Sequence, residues 1–194
     1  QVYGASYADV RVLETVQETI RTRNGVVRAL QRSESAGFGV RIVADGAWGF
    51  ASSSRLSLAE AESIARQAVD IARSSALFKR EDVQLGAPVR SQGQYRTPVE
   101  EDPFAVSLED KVALLLQADA AMQQLQVTVR EANLVSLRKR QVFASSEGSY
   151  IEQEIIEAGG GIEALAVGEG EVQRRSYPNS FGRNQACRGF EFIR

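Results

Sequence analysis

The sequence contains no histidine, and Cys187 is its only cysteine. Without histidine, these residues cannot form a Ser-His-Asp triad, a Cys-His pair or a histidine-ligated zinc site. A single cysteine cannot form an intramolecular disulfide, which is compatible with a reducing compartment. We therefore predict no catalytic residue, no cofactor-binding residue and no metal ligand in this chain, and we expect a cytoplasmic location.

Strong charge and long apolar segments are also absent. The formal net charge is −2, with 25% charged and 43% hydrophobic residues. This charge argues against a general polyanion-binding protein, so we consider nucleic acid an unfavoured partner. No apolar run approaches the ~20 residues of a membrane-spanning helix, and we expect no membrane partner. The composition is that of an ordinary globular protein with a sizeable core.

The stretch from Gly37 to Leu77 organises the chain. Two β-prone runs flank Asp45-Gly46, a pair typical of a tight hairpin turn because glycine tolerates positive φ. Ser57 and Glu60 then form a capping box for a helix that we predict to extend to about Leu77. Its apolar residues recur at helical spacing and define one face: Leu58, Ala61, Ile64, Ala65, Ala68, Ile71 and Ala72.

Upstream of this stretch, Asn24-Gly25 predicts a second hairpin. The strand that follows fades at Ser33-Glu34-Ser35, so we expect an antiparallel meander of four strands before the first helix. Pro88, Pro98 and Pro103 then indicate a long extended connector over residues 79–106. These features predict a meander–helix subdomain at 1–78 and a helix–meander subdomain at 107–194.

The second subdomain repeats the same kinds of element. Ser107 and Asp110 cap a helix whose Asp119 we expect to face solvent. Strands follow between residues 127 and 177, with a bend predicted at Gly159-Gly160-Gly161. The apolar side of the helix consists of Val112, Leu115, Leu116, Ala118, Met122 and Leu125. The predicted class is α+β, with two antiparallel meanders, each packed against an amphipathic helix.

Several clusters invite a chemical interpretation, and each has a simpler structural one. Glu100-Glu101-Asp102 has the composition of an acid–base or metal cluster, but adjacent side chains on an extended chain diverge, which favours a solvated or salt-bridged connector. Arg138-Lys139-Arg140 is split across two faces of a strand. Cys187 has no histidine to activate it. Trp48, on a predicted strand between Ala47 and Gly49, is more typical of cross-strand packing than of a peptide groove.

Several segments together resemble the TldD/PmbA family, the zinc-dependent peptidases once labelled modulators of DNA gyrase. Each motif alone has little specificity, but their joint order is informative and covers nearly the whole chain. The segments are Tyr7-Ala8-Asp9-Val10-Arg11, Gly37-Phe38-Gly39-Val40-Arg41, Gly46-Ala47-Trp48-Gly49-Phe50-Ala51, Tyr95 to Phe104, Asn133-Leu134-Val135, Ser146-Glu147-Gly148 and Arg188-Gly189-Phe190-Glu191-Phe192.

The resemblance implies a chain without the catalytic domain. TldD-like members carry His-Glu-x-x-x-His on a helix of a C-terminal domain, where the histidines hold zinc and the glutamate acts on water. No position here matches that motif, so no catalytic residue is carried over. We expect the chain to be the N-terminal and middle portion of a longer protein, with zinc only in the missing domain.

Three functions remain open from the sequence. The first is a non-catalytic part of a TldD-like zinc metallopeptidase that shapes a chamber for its peptide substrate and makes subunit contacts. The second is an interaction module that docks a partner subunit or adds a peptide strand to a sheet edge; within the family resemblance, the alternative is a fragment of a PmbA/TldE-like partner subunit without the metal motif. The third is a gyrase- or nucleic-acid-associated modulator. For the first two we expect a homo- or heterodimer partner of the same family.

Overall fold

The computed structural model describes residues 4–168, 170–178 and 184–194. It contains eight strands, two α-helices and one 3-10 helix in this part of the chain. In chain order they are β1 (Tyr7–Arg23), β2 (Val26–Ala44), β3 (Ala47–Ser53), α1 (Leu58–Ala76), β4 (Gln92–Arg96), α2 (Leu108–Ala121), β5 (Val127–Ser145), β6 (Tyr150–Gly168), β7 (Glu171–Tyr177), β8 (Asn184–Ala186) and the 3-10 helix (Phe190–Phe192).

The strands form one eight-stranded sheet in the order β3-β2-β1-β5-β6-β4, and β7 and β8 also pair with β6. The α+β class and the antiparallel pairing are confirmed. The two predicted meanders, however, belong to one sheet. The amide of Asn24 donates to the carbonyl of Arg130, and the amide of Ser146 donates to the carbonyl of Ala8. These bonds join β1 to β5, and no turn in the sequence signals such a pairing.

Two strands are longer than the sequence suggested. The prediction that a strand ends near Ser33-Glu34-Ser35 is wrong, because these residues lie inside β2, which is 19 residues long. Side chains from Val26 to Gly37 are nearly all exposed on both faces, so the apolar alternation that marks a strand is missing there. The predicted bend at Gly159-Gly160-Gly161 is also wrong, because these glycines lie inside β6. A Cβ at Gly160 would lie 2.8 Å from the carbonyl oxygen of Asn133.

Contacts divide the chain into two compact units whose segments alternate along the sequence. Unit 1 comprises Gln1–Thr15, Ser35–Tyr95 and Lys139–Glu154, and unit 2 comprises Val16–Glu34, Arg96–Arg138 and Ile155–Arg194. The long strands β1, β2, β5 and β6 each contribute residues to both units. The consecutive subdomains at 1–78 and 107–194 remain a prediction. Within the predicted connector, β4 is a strand paired with β6.

The core of unit 1 lies between α1 and the strands β1, β2 and β3. Ser57 caps α1 as predicted, because its hydroxyl accepts the amide of Glu60 at 3.2 Å. The carboxylate of Glu60 does not complete the box but accepts the hydroxyl of Ser53 at 2.7 Å. The apolar face is shifted from the prediction, since Leu58 is 87% exposed. The buried residues of α1 are Ile64, Ala68, Val69 and Ala72.

The core of unit 2 lies under α2, whose buried stripe contains two charges. Ser107 caps α2 by accepting the amide of Asp110 at 3.1 Å. The predicted outward position of Asp119 is wrong, because this residue is only 2% exposed. Leu125, expected on the buried side, lies beyond the end of α2 and is fully exposed. The core cluster of unit 2 contains Ile20, Leu115, Ala132, Leu134 and Phe190.

Both buried charges of α2 are paired. The ammonium of Lys111 lies 2.5 Å from the Glu18 carboxylate, and the exposed fractions of these side chains are 2% and 11%. The Asp119 carboxylate accepts Nε of Arg130 at 3.0 Å. Burial of a charge is tolerated only when a partner compensates its lost hydration. These pairs therefore fix how α2 docks on β1 and β5.

Neither of these helices is long and apolar enough to cross a membrane, and this holds for all helices in the described ranges.

Candidate functional site

The sheet of unit 1 has two faces. One is covered by α1, and the other carries polar, charged and aromatic side chains. Along β3, Ala47, Gly49 and Ala51 are buried, whereas Trp48 and Phe50 are exposed. A Cβ at Gly49 would lie 1.9 Å from the carbonyl oxygen of Ala68, so α1 lies directly on the β3 backbone there. Because neighbouring strand residues point to opposite faces, Trp48 and Phe50 project away from α1.

Arg41 is the centre of this second face. Its Nε and Nη2 donate to one carboxylate oxygen of Asp9, at 2.9 and 2.7 Å. The Asp9 side chain is 7% exposed, whereas that of Arg41 is 48% exposed. The buried carboxylate therefore holds the guanidinium in place, and the exposed remainder of the guanidinium keeps hydrogen-bond donors available for a ligand.

Aromatic rings complete the arrangement. The Arg41 guanidinium lies 4.9 Å from the centre of the Trp48 ring. The Tyr7 ring meets Trp48 edge to face, with centroids 5.9 Å apart and planes at 85°. Phe50 lies across Gly39, because a Cβ there would contact its ring at 2.8 Å. We call Tyr7, Asp9, Arg41, Trp48 and Phe50 the Arg41 cluster.

A cleft of about 660 Å³ adjoins the Arg41 cluster. Asp9, Arg41 and Phe50 contribute to its walls, together with serines at the end of β3 and with Arg11. The Arg11 guanidinium lies 5.6 Å from the centre of the Phe143 ring. A volume of this size is in the range of ligand sites in proteins. The cleft thus combines cationic donors, hydroxyls and aromatic surface.

The electrostatics of the Arg41 cluster favour a charged arginine and a neutral tyrosine. The hydrogen bond to Asp9 raises the pKa of Arg41 above its ordinary value. Burial raises the pKa of Tyr7, and the hydrogen bond and negative charge of Asp9 raise it further. Arg41 thus provides a permanent positive charge, and Tyr7 keeps its proton at neutral pH. A fixed cation beside a neutral phenol and aromatic rings is suited to binding a ligand.

The acidic run predicted as a connector is salt-bridged. The Asp102 carboxylate accepts a hydrogen bond from Nη2 of Arg138, and the Arg138 guanidinium lies 4.7 Å from the centre of the Phe104 ring. Glu101 pairs with Arg194 at 3.0 Å. These contacts agree with the salt-bridged interpretation of the acidic run.

The remaining sequence candidates differ in their surroundings. Arg140 pairs with Glu154 at 3.5 Å. Cys187 is a free, exposed thiol. Trp48, which we interpreted as a packing residue, is 37% exposed and lies at the cluster. Tyr7 and Asp9 belong to a segment that resembles the family, but no local pattern marks them as site residues, because their contacts with Arg41 and Trp48 depend on strand register.

The residues of this chain do not fit a catalytic zinc ion. Zinc sites in enzymes combine three protein ligands, usually including histidine. The sequence has no histidine, and within the described ranges no three Cys, Asp or Glu side chains are grouped so that they could hold a metal ion. We therefore derive no metal-dependent step for this chain.

Comparison with known families assigns this fold to metallopeptidase-related domains. Residues 8–72 match the model of PmbA/TldA metallopeptidase domain 1, and residues 101–188 match that of the PmbA/TldA metallopeptidase central domain. The two matches together cover most of the sequence. The chain belongs to the PmbA/TldD family.

Curated relatives include metalloproteases from archaea. The Archaeoglobus fulgidus protein is 28% identical over 164 residues, which are 84% of this chain and 35% of the relative. The Methanothermobacter thermautotrophicus protein is 28% identical over 147 residues, or 75% of this chain and 31% of the relative. The chain thus spans about a third of the length of these relatives.

Solved structures share the fold at low sequence identity. A protein from Thermotoga maritima, described as a candidate modulator of a DNA gyrase, superposes with a TM-score of 0.74 at 16% identity, covering 95% of this chain and 40% of that one. TldE from Thermococcus kodakarensis gives a TM-score of 0.67 at 12% identity, covering 89% of this chain and 39% of TldE. The arrangement of strands and helices is therefore that of the family.

Proposed function

We propose that this chain is the non-catalytic N-terminal and central part of a TldD-like zinc metallopeptidase, and that its Arg41 cluster contacts extended peptides on their way to the catalytic domain. Family membership and the metalloprotease relatives support the first half. The Arg41 cluster, with its half-exposed guanidinium beside a cleft, is the observation that carries the second half. The zinc would be held by residues outside this chain.

Each part of the Arg41 cluster has a distinct task in this proposal. Asp9 holds Arg41 at two nitrogens, so little side-chain entropy is lost when a ligand binds. The guanidinium then donates hydrogen bonds to peptide carbonyl groups or to a carboxylate. Trp48 and Phe50 offer exposed aromatic surface to apolar side chains of the peptide. Contacts of this kind do not depend on the amino-acid sequence of the peptide. They therefore suit a chamber that accepts different peptides.

A partner-subunit role is the second candidate. A PmbA/TldE-like subunit lacks the zinc motif even at full length, and the likeness to TldE keeps this role open. In either role the proposal includes a homo- or heterodimer with a family member. The gene sequence following Arg194 decides between them: His-Glu-x-x-x-His supports the peptidase, and a complete reading frame without it supports the partner subunit.

The peptide-contact proposal can be tested through Trp48, because the chain contains one tryptophan. Every change in tryptophan emission therefore reports on the Arg41 cluster. Titration with an unstructured peptide should change the Trp48 emission and protect it from acrylamide quenching. Arg41→Gln should weaken binding by about 10- to 100-fold, the value of one charge-assisted hydrogen bond.

Arg66→Gln is the matched control, because Arg66 is an exposed arginine of α1 whose side chain is 63% accessible. Emission that does not respond to saturating peptide would contradict the role of the Arg41 cluster. Equal weakening by Arg66→Gln and Arg41→Gln would contradict it too, because it would show nonspecific charge attraction. We also expect no peptide hydrolysis by the purified chain, measured beside the full-length protein.

A further inference from the structure

The first half of β2 forms an unpaired sheet edge in unit 2. The neighbours of β2 in the sheet are β1 and β3. The whole of β3 pairs with Phe38–Ala44. Among the described residues, therefore, the segment 26–34 has a strand neighbour on its β1 side only. Its side chains are almost all exposed. An edge of this length presents unpaired amides and carbonyls to any extended chain.

The turn between β1 and β2 fixes which residues face each other along this edge. Asn24 and Gly25 both have positive φ, at 50° and 75°, which defines a two-residue type I′ turn. Such a turn places Arg23 opposite Val26, and therefore Arg21 opposite Arg28. Cβ atoms of directly opposed residues lie ~5 Å apart, and like charges at that distance destabilise the pair.

The arginines around this edge differ in their partners. Arg23 lies 3.4 Å from Glu131, and Arg32 lies 2.9 Å from Glu34. For Arg21 and Arg28, no carboxylate lies within salt-bridge distance in the part of the chain that the structure describes. Both line a cleft of about 700 Å³. An incoming carboxylate would relieve their repulsion and form charge-assisted hydrogen bonds with both.

Apolar side chains flank Arg28 on the same side of β2. Val26 and Leu30 are each two residues from Arg28, and they are 52% and 50% exposed. Residues two apart along a strand share a face. The edge therefore presents the pattern apolar, basic, apolar at every second residue.

We propose that residues 26–31 of β2 form a docking edge for an extended acidic peptide, which adds one strand and places a carboxylate between Arg28 and Arg21. The preferred peptide has an aspartate or glutamate with apolar residues two positions before and after it. This site goes beyond the proposed function, because it lies in unit 2 and does not involve the Arg41 cluster.

The hydrogen-bond pattern of the hairpin supports this geometry. The residues that flank a two-residue turn bond to each other, so Val26, Arg28 and Leu30 direct their backbone groups towards β1. Val27, Ala29 and Gln31 then direct theirs to the free side. An added strand would bond to these three, and its residue opposite Arg28 would occupy a close, non-hydrogen-bonded pair.

Charge complementarity favours an acidic peptide over a second copy of this chain. In an antiparallel pairing of two such edges, Arg28 and Arg32 would meet the same basic strand of the other copy, which is unfavourable. The acidic residues Glu131 and Glu163 at the cleft also disfavour a polyphosphate chain that passes over the whole surface. A single carboxylate between apolar residues avoids both conflicts.

Fluorescence anisotropy can test this docking edge with a labelled short peptide in which valine, glutamate and valine alternate with threonine. The purified chain should bind this peptide about tenfold more tightly than its glutamine analogue. Arg21→Gln combined with Arg28→Gln should abolish that preference, whereas the Arg66→Gln control should retain it.

Ala29→Pro tests the backbone part of the proposal. It removes an amide that points to the free side and leaves the bonds to β1 intact, which edge strands tolerate. Binding should fall about tenfold, with circular dichroism and Trp48 emission unchanged. Peptide binding that does not respond to either the arginine variants or Ala29→Pro would overturn the proposal.

Two further outcomes would also overturn it. One is equal or tighter binding of a single-stranded oligonucleotide of similar length. The other is a concentration-dependent dimer, seen by sedimentation, that Ala29→Pro disrupts. A result at this edge leaves the Trp48 titration unaffected, so the two proposals stand or fall separately.

Discussion

The contact between α1 and β3 makes a strong prediction about Gly49. In Gly49→Ala, the new methyl group would lie 1.9 Å from the carbonyl oxygen of Ala68 and 2.7 Å from the amide nitrogen of Ala72. Both atoms belong to the helix backbone, which cannot rotate away as a side chain can. To restore an ordinary contact near 3.4 Å, α1 would have to move by about 1.5 Å at Ala68.

Such a movement would separate fully buried residues of the unit 1 core. Ala68 and Ala72 are 0% exposed and Val69 is 2% exposed. Overpacking of a well-packed core costs ~1–3 kcal/mol, and a rigid backbone obstacle places this case at the upper end. We expect the free energy of unfolding to fall by about 3 kcal/mol, measured by urea denaturation followed through Trp48 emission.

Two other glycines provide a graded control. In Gly39→Ala the methyl group would meet the Phe50 ring at 2.8 Å, but this side chain is 58% exposed and can turn aside. The loss should be about 1 kcal/mol. Gly93→Ala meets nothing within 4 Å and should change stability by less than about 0.5 kcal/mol. A loss for Gly49→Ala no larger than that for Gly93→Ala would refute the packing of α1 on β3.

Two further predictions concern charge. Lys111→Met leaves the Glu18 carboxylate buried without its partner and should lower the free energy of unfolding by ~3–5 kcal/mol. The double variant Lys111→Met with Glu18→Leu should be within about 1 kcal/mol of the parent chain. Urea denaturation of the three proteins measures both values, and equal losses in the single and double variants would contradict a compensated pair. The pKa of Tyr7 is raised above 10.0, so the folded state favours neutral Tyr7 and its contribution to stability, complete below about pH 10, is lost as the pH rises through the raised value. Tyrosinate quenches nearby tryptophan, so Trp48 emission should fall with a midpoint above pH 10, and the same transition in Tyr7→Phe would show that another group causes it.

The sequence by itself determined the local elements of this protein. Both hairpin turns were predicted, because a two-residue turn requires positive φ at both positions, and the pairs Asn24-Gly25 and Asp45-Gly46 tolerate it. Both helix starts were predicted as well, because Ser57 and Ser107 each cap the amide three residues on. The α+β class follows from these local signals. The resemblance to the TldD/PmbA family was also recognised from the sequence alone, and the family is confirmed.

Burial along the helices was only partly readable. Hydropathy predicted that Asp119 faces solvent, because a lone carboxylate has a high cost of burial. Its partner Arg130 lies on another element, and the pair makes burial acceptable. The same applies to Lys111, whose partner Glu18 is 93 residues away in sequence. Periodicity treats each residue alone, whereas burial of a charge depends on what it meets.

Tertiary structure alone decided the sheet order and the candidate sites. No local signal pairs β1 with β5, since the partners of a strand without a connecting turn depend on packing of the whole sheet. The Arg41 cluster combines residues of three strands, and strand register sets which side chains share its face. The unpaired edge of β2 depends in the same way on the short length of β3. Side-chain chemistry is written in the sequence, but which side chains become neighbours is fixed only when distant strands pair and bury their common face.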